Sequence, residues 1–283
     1  MKKILLVCLT VIFVQSFSGQ IRIADSLISI LDAGTLTKKE QLLVYDSICN
    51  IYDIAYSKNL KTYADKGLEL AEKEKNEIMI SKFIEYIGID YKIKKNYDTA
   101  LIFFDKALAL AIKSKDNERE ASIYLNMGMA HSMKESKNVA MEHYMKALPL
   151  CENINKKLYA RVLANIGAIH RTSRNSKMAI QYLEQAYTVA EQQNDIPAMM
   201  KSCHELAAFF LEVGENDMSL ENGLKALNYS RAINNEYIEA MASHALALIY
   251  IHGFQDFDNS INMPLNLYNM PKIREIKRFM VLR

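Results

Sequence analysis

The sequence is short of the residues that interrupt regular backbone. Its 283 residues include only 9 glycines and 4 prolines, and no tryptophan. Sheets joined by many tight turns need more glycine and proline than this, so the composition favours long helices and predicts an all-α fold. Half of the residues are hydrophobic and 24% are charged, which is the balance of a folded globular chain and not of a disordered one.

Cysteine is scarce as well. Apart from Cys8 near the N-terminus, the chain has only Cys49, Cys151 and Cys203. They stand too far apart for a CxxC metal site or for the dense pairing of a small disulfide-stapled domain. The sequence therefore predicts buried free thiols.

A long apolar run occurs only at the N-terminus. The stretch "MKKILLVCLTVIFVQSFS" has two lysines, an apolar run from Ile4 to Val14, and small residues at Ser16 and Ser18. This pattern is typical of a cleavable secretory signal peptide over residues 1–18, and a buried N-terminal strand is the alternative. Since no later apolar run is long enough to span a bilayer, we expect no transmembrane helix in the mature chain and a periplasmic or cell-surface location.

An excess of one charge is missing from the mature chain. Removing Lys2 and Lys3 leaves 35 − 2 = 33 basic residues against 33 acidic ones, and no helix carries a basic stripe, which argues against a nucleic-acid partner. Glycine-rich phosphate loops, HExxH and GxSxG are absent too. We therefore expect no enzyme activity, no cofactor and no metal, although His204 and His244 fall 40 residues apart at equivalent positions.

What the chain does contain is a repeat. The stretch "IGIDYKIKKNYDTALIFFDKAL" at 87–108 returns as "MGMAHSMKESKNVAMEHYMKAL" at 127–148, "IGAIHRTSRNSKMAIQYLEQAY" at 166–187 and "LAAFFLEVGENDMSLENGLKAL" at 206–227. Small residues keep a period of 39 or 40 in three columns: Gly88, Gly128, Gly167, Ala207; Ala100, Ala140, Ala179, Ser219; and Ala107, Ala147, Ala186, Ala226. Periods of this length are typical of stacked helical repeats.

Each column has a packing role in a pair of helices. Helix axes 8–10 Å apart need small side chains where they cross, so Gly88 and Ala100 are predicted to mark the crossing inside one pair. Ala107 would then contact the following pair. An aromatic position three residues after the first small one is predicted to fill the space between the two helices, and it holds Tyr91, His131, His170 and Phe210.

This pattern resembles the tetratricopeptide repeat, with a unit longer than the usual 34 residues. The resemblance implies a right-handed superhelical solenoid of antiparallel helix pairs, with about four to five repeats and an N-terminal cap. Residues 19–40 are predicted to form the capping helix, stopped at Gly34 and followed by a capping box in "TKKE". The solenoid is expected over 41–262, in units of about 41–80, 81–120, 121–160, 161–199 and 200–240 with a partial unit at 241–262.

Three irregularities stand out in that scheme. Pro149 is expected to kink or end its helix early. The first unit has Ile48 and Leu60 at two small positions, although Gly67 keeps the third. Residues 263–283 carry Pro264, Pro271 and a basic excess, and they are either a basic amphipathic helix or a non-repeat tail.

The resemblance also implies a peptide-binding groove lined by the first helix of each pair. Candidate groove residues are Lys82, Glu85, Ile89, Lys92, Leu125, Asn126, Met129, Arg161, Asn165, Arg171, Lys201 and His204. Asn126 and Asn165 would bind an extended peptide backbone, since an amide both donates and accepts, and the lysines and arginines would favour acidic groups.

A signal peptide followed by such repeats resembles the exported sensory region of bacterial tetratricopeptide-repeat histidine kinases and regulators. The expected function is a non-enzymatic scaffold that binds a protein or peptide in a signalling system, either as a truncated sensor or as a separate adaptor. The alternative is an assembly scaffold for envelope or cell-surface complexes. The sequence does not indicate an oligomeric state.

Overall fold

The computed structural model describes residues 17–54, 58–233 and 236–254, and this part of the chain is all helical, without a strand. Its twelve helices are α1 (Phe17–Asp32), α2 (Lys38–Ile54), α3 (Leu60–Lys73), α4 (Glu77–Ile93), α5 (Tyr97–Ser114), α6 (Asn117–Met133), α7 (Lys137–Cys151), α8 (Lys156–Thr172), α9 (Ser176–Gln192), α10 (Ile196–Val213), α11 (Asn216–Ile233) and α12 (Glu236–Gly253). The predicted all-α class is confirmed.

Helices α2 to α11 form five antiparallel pairs packed as in a tetratricopeptide solenoid. The first helices of these pairs begin at residues 38, 77, 117, 156 and 196. The pairs therefore start three to five residues before the unit boundaries chosen from the sequence, at 41, 81, 121, 161 and 200. The difference is the first turn of each leading helix, which lies outside the small-residue columns.

The turns between helices have a common construction. Six of them place a residue other than glycine at positive φ, namely Lys75, Lys95, Lys115, Glu135, Arg174 and Asn194. The next residue is usually an Asn or Asp whose side chain caps the following helix, as where Asp116 Oδ1 accepts from Arg119 N at 2.9 Å. Such a side chain satisfies one of the amides that have no partner in a helix's first turn.

The small residues of all three columns are buried, as predicted. A Cβ atom added to Gly88 would lie 2.6 Å from Phe104 Cε1 and 3.3 Å from the Ala100 carbonyl oxygen. The α4–α5 crossing therefore lies at Gly88 and Ala100, because only glycine leaves room for the Phe104 ring. Gly67 makes similar room for Phe83 on the next pair.

The aromatic position also packs as predicted. Tyr91 on α4 stacks on Phe103 of α5, with ring centroids 5.3 Å apart. In the fourth pair His170 stacks on Tyr182 at 5.6 Å. These ring couples fill the space between the two helices of a pair near the turn that joins them.

Several local predictions are confirmed. Thr37 and Glu40 form the capping box, with Thr37 N donating to Glu40 Oε2 at 2.9 Å and Glu40 N donating to Thr37 Oγ1 at 3.3 Å. Gly34 follows α1 at φ 67°. Helix α7 ends at Cys151, two residues after Pro149. Cys49, Cys151 and Cys203 are buried free thiols.

The chain divides into two compact units, residues 1–165 and 166–283, and the boundary falls within α8. In the first unit α2, α4 and α6 are neighbours, and one hydrophobic core runs from Ala24 to Ala130. In the second unit α10 packs on α9, α11 and α12.

Two predictions fall wholly or largely outside the described residues. Only Phe17 and Ser18 of the predicted signal peptide are described, as the start of α1, and the whole of the 263–283 tail lies beyond residue 254. Among the helices that are described, none combines the length and the apolar character needed to cross a membrane.

Candidate functional site

A network of polar side chains joins α2, α4 and α6 on the face where these three first helices meet. We call it the polar ladder, and its members are Asp46 on α2, Lys82, Glu85, Tyr86 and Lys92 on α4, and Arg119, Ser122 and Asn126 on α6. It forms because equivalent positions of successive pairs, 39 or 40 residues apart, fall side by side on one face.

The first rung joins α2 to α4. Lys82 Nζ forms an ion pair with Asp46, and Tyr86 Oη donates to Asp46 Oδ1 at 3.1 Å. Burial, with the Asp46 carboxylate as a second cause, raises the pKa of Tyr86 well above its usual value. Tyr86 therefore remains a neutral donor to Asp46 at ordinary pH.

The second rung centres on Glu85, which is only 2% exposed. Its carboxylate accepts from Arg119 Nη1 at 2.7 Å, from Ser122 Oγ at 2.6 Å and from Asn126 Nδ2 at 2.9 Å. A buried carboxylate is tolerated when it is paired with a cation and hydrogen-bonded in this way. Glu85 therefore holds α4 against α6 and is not free to bind a partner.

Asn126 is occupied at both ends of its amide. Its Nδ2 donates to Glu85, and its Oδ1 accepts from Lys92 Nζ at 2.6 Å. The side chain is 4% exposed. In this structure Asn126 orders the ladder, whereas the sequence analysis assigned it to a peptide backbone.

Three groups at the end of the ladder keep hydrogen-bonding capacity. Lys92 uses one donor on Asn126, and among the described residues neither the Asp53 carboxylate nor the Arg161 guanidinium has a hydrogen-bond partner. Burial lowers the pKa of Lys92 to about 8, which Asp53 opposes and Arg161 reinforces. Burial also raises the pKa of Asp53. The Arg161 guanidinium thus lies close enough to influence the pKa values of both Lys92 and Asp53.

The other first-unit candidates differ in accessibility. Ile89 is 4% exposed and Leu125 is 1% exposed, so both belong to the packed interior and offer no surface to a partner. Met129 is partly exposed. Asn165 Nδ2 donates to the Arg161 carbonyl oxygen at 2.7 Å, which leaves its Oδ1 as an acceptor.

The second unit has a smaller cluster of the same kind. Glu205 accepts from Lys201 Nζ at 2.6 Å and from Arg171 Nε at 3.1 Å, and Arg171 also pairs with Glu212. Burial acts to raise the pKa of Glu205, but Lys201 and Arg171 outweigh it and lower that pKa to about 2. Burial lowers the pKa of the adjacent His204.

Five members of the first-unit site were not predicted from the sequence: Asp46, Asp53, Tyr86, Arg119 and Ser122. The repeat register contains the signal for two of them, because Asp46 and Tyr86 stand 80 and 40 residues before Asn126 in the same column. Arg119 carried no such signal, since its role depends on the reach of its side chain back to Glu85 on the preceding pair.

The polar side chains of the two clusters bind one another within the described part of the chain. Within the residues that the structure describes, no group of three or more His, Cys, Asp or Glu side chains could hold a metal ion. The chemistry available on the first-helix face is hydrogen bonding and charge, which suits recognition.

Comparison with known proteins agrees with the geometry. Models of the tetratricopeptide repeat match residues 83–153 and 160–193. No curated protein sequence matches the chain. Residues 83–153 and 160–193 therefore carry tetratricopeptide repeats within an all-helical fold of paired helices.

Several solved structures share the fold at low sequence identity. A Rap protein complexed with competence and sporulation factor superposes with a TM-score of 0.71 at 14% identity, covering 90% of this chain and 71% of that one. The Rap conjugation gene regulator of the plasmid pLS20, in complex with a Phr peptide, gives 0.69 at 16% identity, with 93% and 69% covered. The apo form of RapI gives 0.63 at 17% identity, with 91% and 92% covered.

Proposed function

We propose that the chain is a non-enzymatic scaffold that binds a protein or peptide on the first-helix face of its first unit. The observation that carries this proposal is the polar ladder, which orders the face and leaves Lys92, Arg161 and Asp53 with free hydrogen-bonding capacity at its end. Extended surfaces on stacked helix pairs are what repeat proteins use for recognition. Two of the similar folds are Rap proteins in complex with a peptide or factor.

The ligand class follows from the groups that remain free. Lys82 is paired with Asp46, and Arg119 is paired with Glu85. Among the described residues Lys92 and Arg161 have no carboxylate within ion-pair distance, unlike Lys82 and Arg119, so an acidic side chain or terminal carboxylate is the favoured anchor. Asp53 accepts a donor from the same ligand, such as a backbone N–H.

The wider role we propose is that of an exported sensory or adaptor module. The N-terminal sequence pattern supports export, and the resemblance to sensory regions of bacterial repeat-containing kinases supports a signalling role. An assembly scaffold for envelope or surface complexes is the second candidate, and the same face would serve it. Intact mass of the protein recovered from its host tests export, because cleavage after Ser18 predicts a mature chain that begins at Gly19.

A displayed library of random peptides tests the binding proposal. We expect selection on the full chain to enrich acidic peptides whose affinity falls at least about tenfold in Arg161→Glu, a loss of about 1.4 kcal/mol. Lys106→Glu is the matched control, since Lys106 is an exposed lysine on the second helix α5. Equal losses in the two variants would mean that only net charge matters, and peptides without acidic residues would contradict the proposed anchor.

A further inference from the structure

The ring couple between the two helices of a pair recurs along the chain with one exceptional member. Its centroid distances are 5.6 Å in the first pair, 5.3 Å in the second, 5.2 Å in the third and 5.6 Å in the fourth. The couples are Tyr52–Tyr63, Tyr91–Phe103, His131–His143 and His170–Tyr182. Only the third of these four couples consists of two imidazoles, which lie nearly parallel at 9°.

His143 is enclosed on two sides. The His131 ring lies against it, and the Tyr124 ring of α6 lies 5.9 Å away. Its Nδ1 atom is buried and has no hydrogen-bond partner. A proton added to that nitrogen would find no acceptor and little water, which is the costly way to bury a charge.

The charged groups around the couple do not offset the cost of protonating the two imidazoles. Lys134, which directly follows α6, lowers the pKa of His131, and Lys146 on α7 lowers that of His143. Asp105 on α5 acts to raise the pKa of both rings, and Glu142 on α7 acts to raise that of His143, but these are smaller causes than burial. Burial is the largest cause that lowers the pKa of each imidazole, and His131 itself lowers that of His143. At neutral pH both rings are therefore uncharged and stack as an ordinary aromatic couple.

We propose that the stacked His131–His143 couple is a proton-sensitive joint that loosens α6 from α7 when the surroundings become acidic. Two imidazolium rings at this separation would repel each other inside a space where each of the other three couples has at most one imidazole. Helix α6 also carries Arg119, Ser122 and Asn126, the three donors to Glu85. Loosening of α6 would therefore reach the polar ladder, so the joint couples acidity to the order of the first-helix face.

The direction of the effect follows from linkage. A histidine whose pKa is lowered by folding contributes stability that is complete above its unfolded value of about 6.5 and is lost as the pH falls below it. A ring that stays neutral when folded would raise the local opening constant by at most about tenfold at a pH one unit below 6.5. For two such rings, the factors by which each raises the opening constant are multiplied.

Hydrogen exchange in the full chain tests the joint directly. Opening of residues 117–151 is measured at about pH 7.5 and about pH 5.5, with rates corrected for the intrinsic pH dependence of exchange. The variant His131→Tyr with His143→Phe recreates the Tyr91–Phe103 couple of the second pair. We expect acidification to increase opening in the wild type at least about threefold more than in this variant.

Residues 196–233, which form the α10–α11 pair and hold neither the couple nor a ladder residue, are the internal control and should respond equally in both proteins. The single variant His143→Phe takes the place of the double one if the latter does not fold, with a smaller expected difference. An equal response of residues 117–151 in wild type and variant would overturn the proposal. So would a difference between the two proteins over residues 196–233 as large as the difference over 117–151.

Discussion

Replacing Gly128 by alanine should destabilise the protein, although alanine is the better helix former. An added Cβ atom would lie 2.3 Å from Cε1 of the Tyr144 ring, and Tyr144 is only 1% exposed. In an unstrained helix interior the same change stabilises by about 0.8–1 kcal/mol. Overpacking a core costs about 1–3 kcal/mol, so we expect a net loss of about 1–2 kcal/mol.

A double-mutant cycle isolates this contact. Tyr144→Ala alone should cost about 3–5 kcal/mol, as for other large aromatic truncations. In that background the overlap is gone, so Gly128→Ala should become neutral or stabilising, with a coupling energy of about 1–3 kcal/mol. Urea unfolding followed by far-ultraviolet circular dichroism measures all four proteins. Additive effects, or a Gly128→Ala protein more stable than the wild type, would refute the proposed helix crossing.

Three further outcomes are expected. Lys95→Gly should stabilise by about 0.5–1 kcal/mol in urea unfolding, because Lys95 sits at φ 62°, where a side chain is strained; a lower midpoint would contradict this. Glu205 has a pKa lowered from 4.5 to about 2, so its stabilisation is present above pH 4.5 and is lost as the pH falls towards 2. Acid titration of Glu205→Gln should lack that loss, and identical curves would count against the Arg171–Glu205–Lys201 cluster. Because the pKa of Lys92 is lowered to about 8, affinity for a selected acidic peptide should fall as the pH rises through 8, and Lys92→Arg should remove that dependence.

The repeat pattern was enough to predict the helix pairs and their crossings. Small side chains recur with the period of the structural unit. The columns that contain Gly88 and Ala100 therefore show where the two helices of each pair approach each other. Where the glycine column changes to Ala207, the position opposite it changes from Phe104, Tyr144 and Leu183 to Gly223. Both positions of this crossing are therefore small, and the side chains that lie against Gly223 are Leu246 and Ile249 of α12.

The binding face was harder to predict, because periodicity shows which face a residue occupies but not which neighbour it binds. Glu85 and Asn126 were assigned to a ligand, but they form hydrogen bonds within the protein. They bond to each other, Glu85 also accepts from Arg119, and Asn126 also accepts from Lys92. These bonds depend on side-chain reach between pairs, at sequence separations of 34 to 41 residues. Ile89 and Leu125 were assigned to the groove from the positions that line it in the resembled family. In this chain those two positions are buried.

Photo-crosslinking from two methionines of the third pair tests the central claim most directly. Met129 lies on the first helix α6 and is partly exposed, whereas Met145 lies on the second helix α7 and is 49% exposed. With benzoylphenylalanine placed at either position, we predict that a selected acidic peptide will crosslink at Met129 and not at the more exposed Met145. Crosslinking at Met145 alone would place binding on the second helices and contradict the proposed first-helix face.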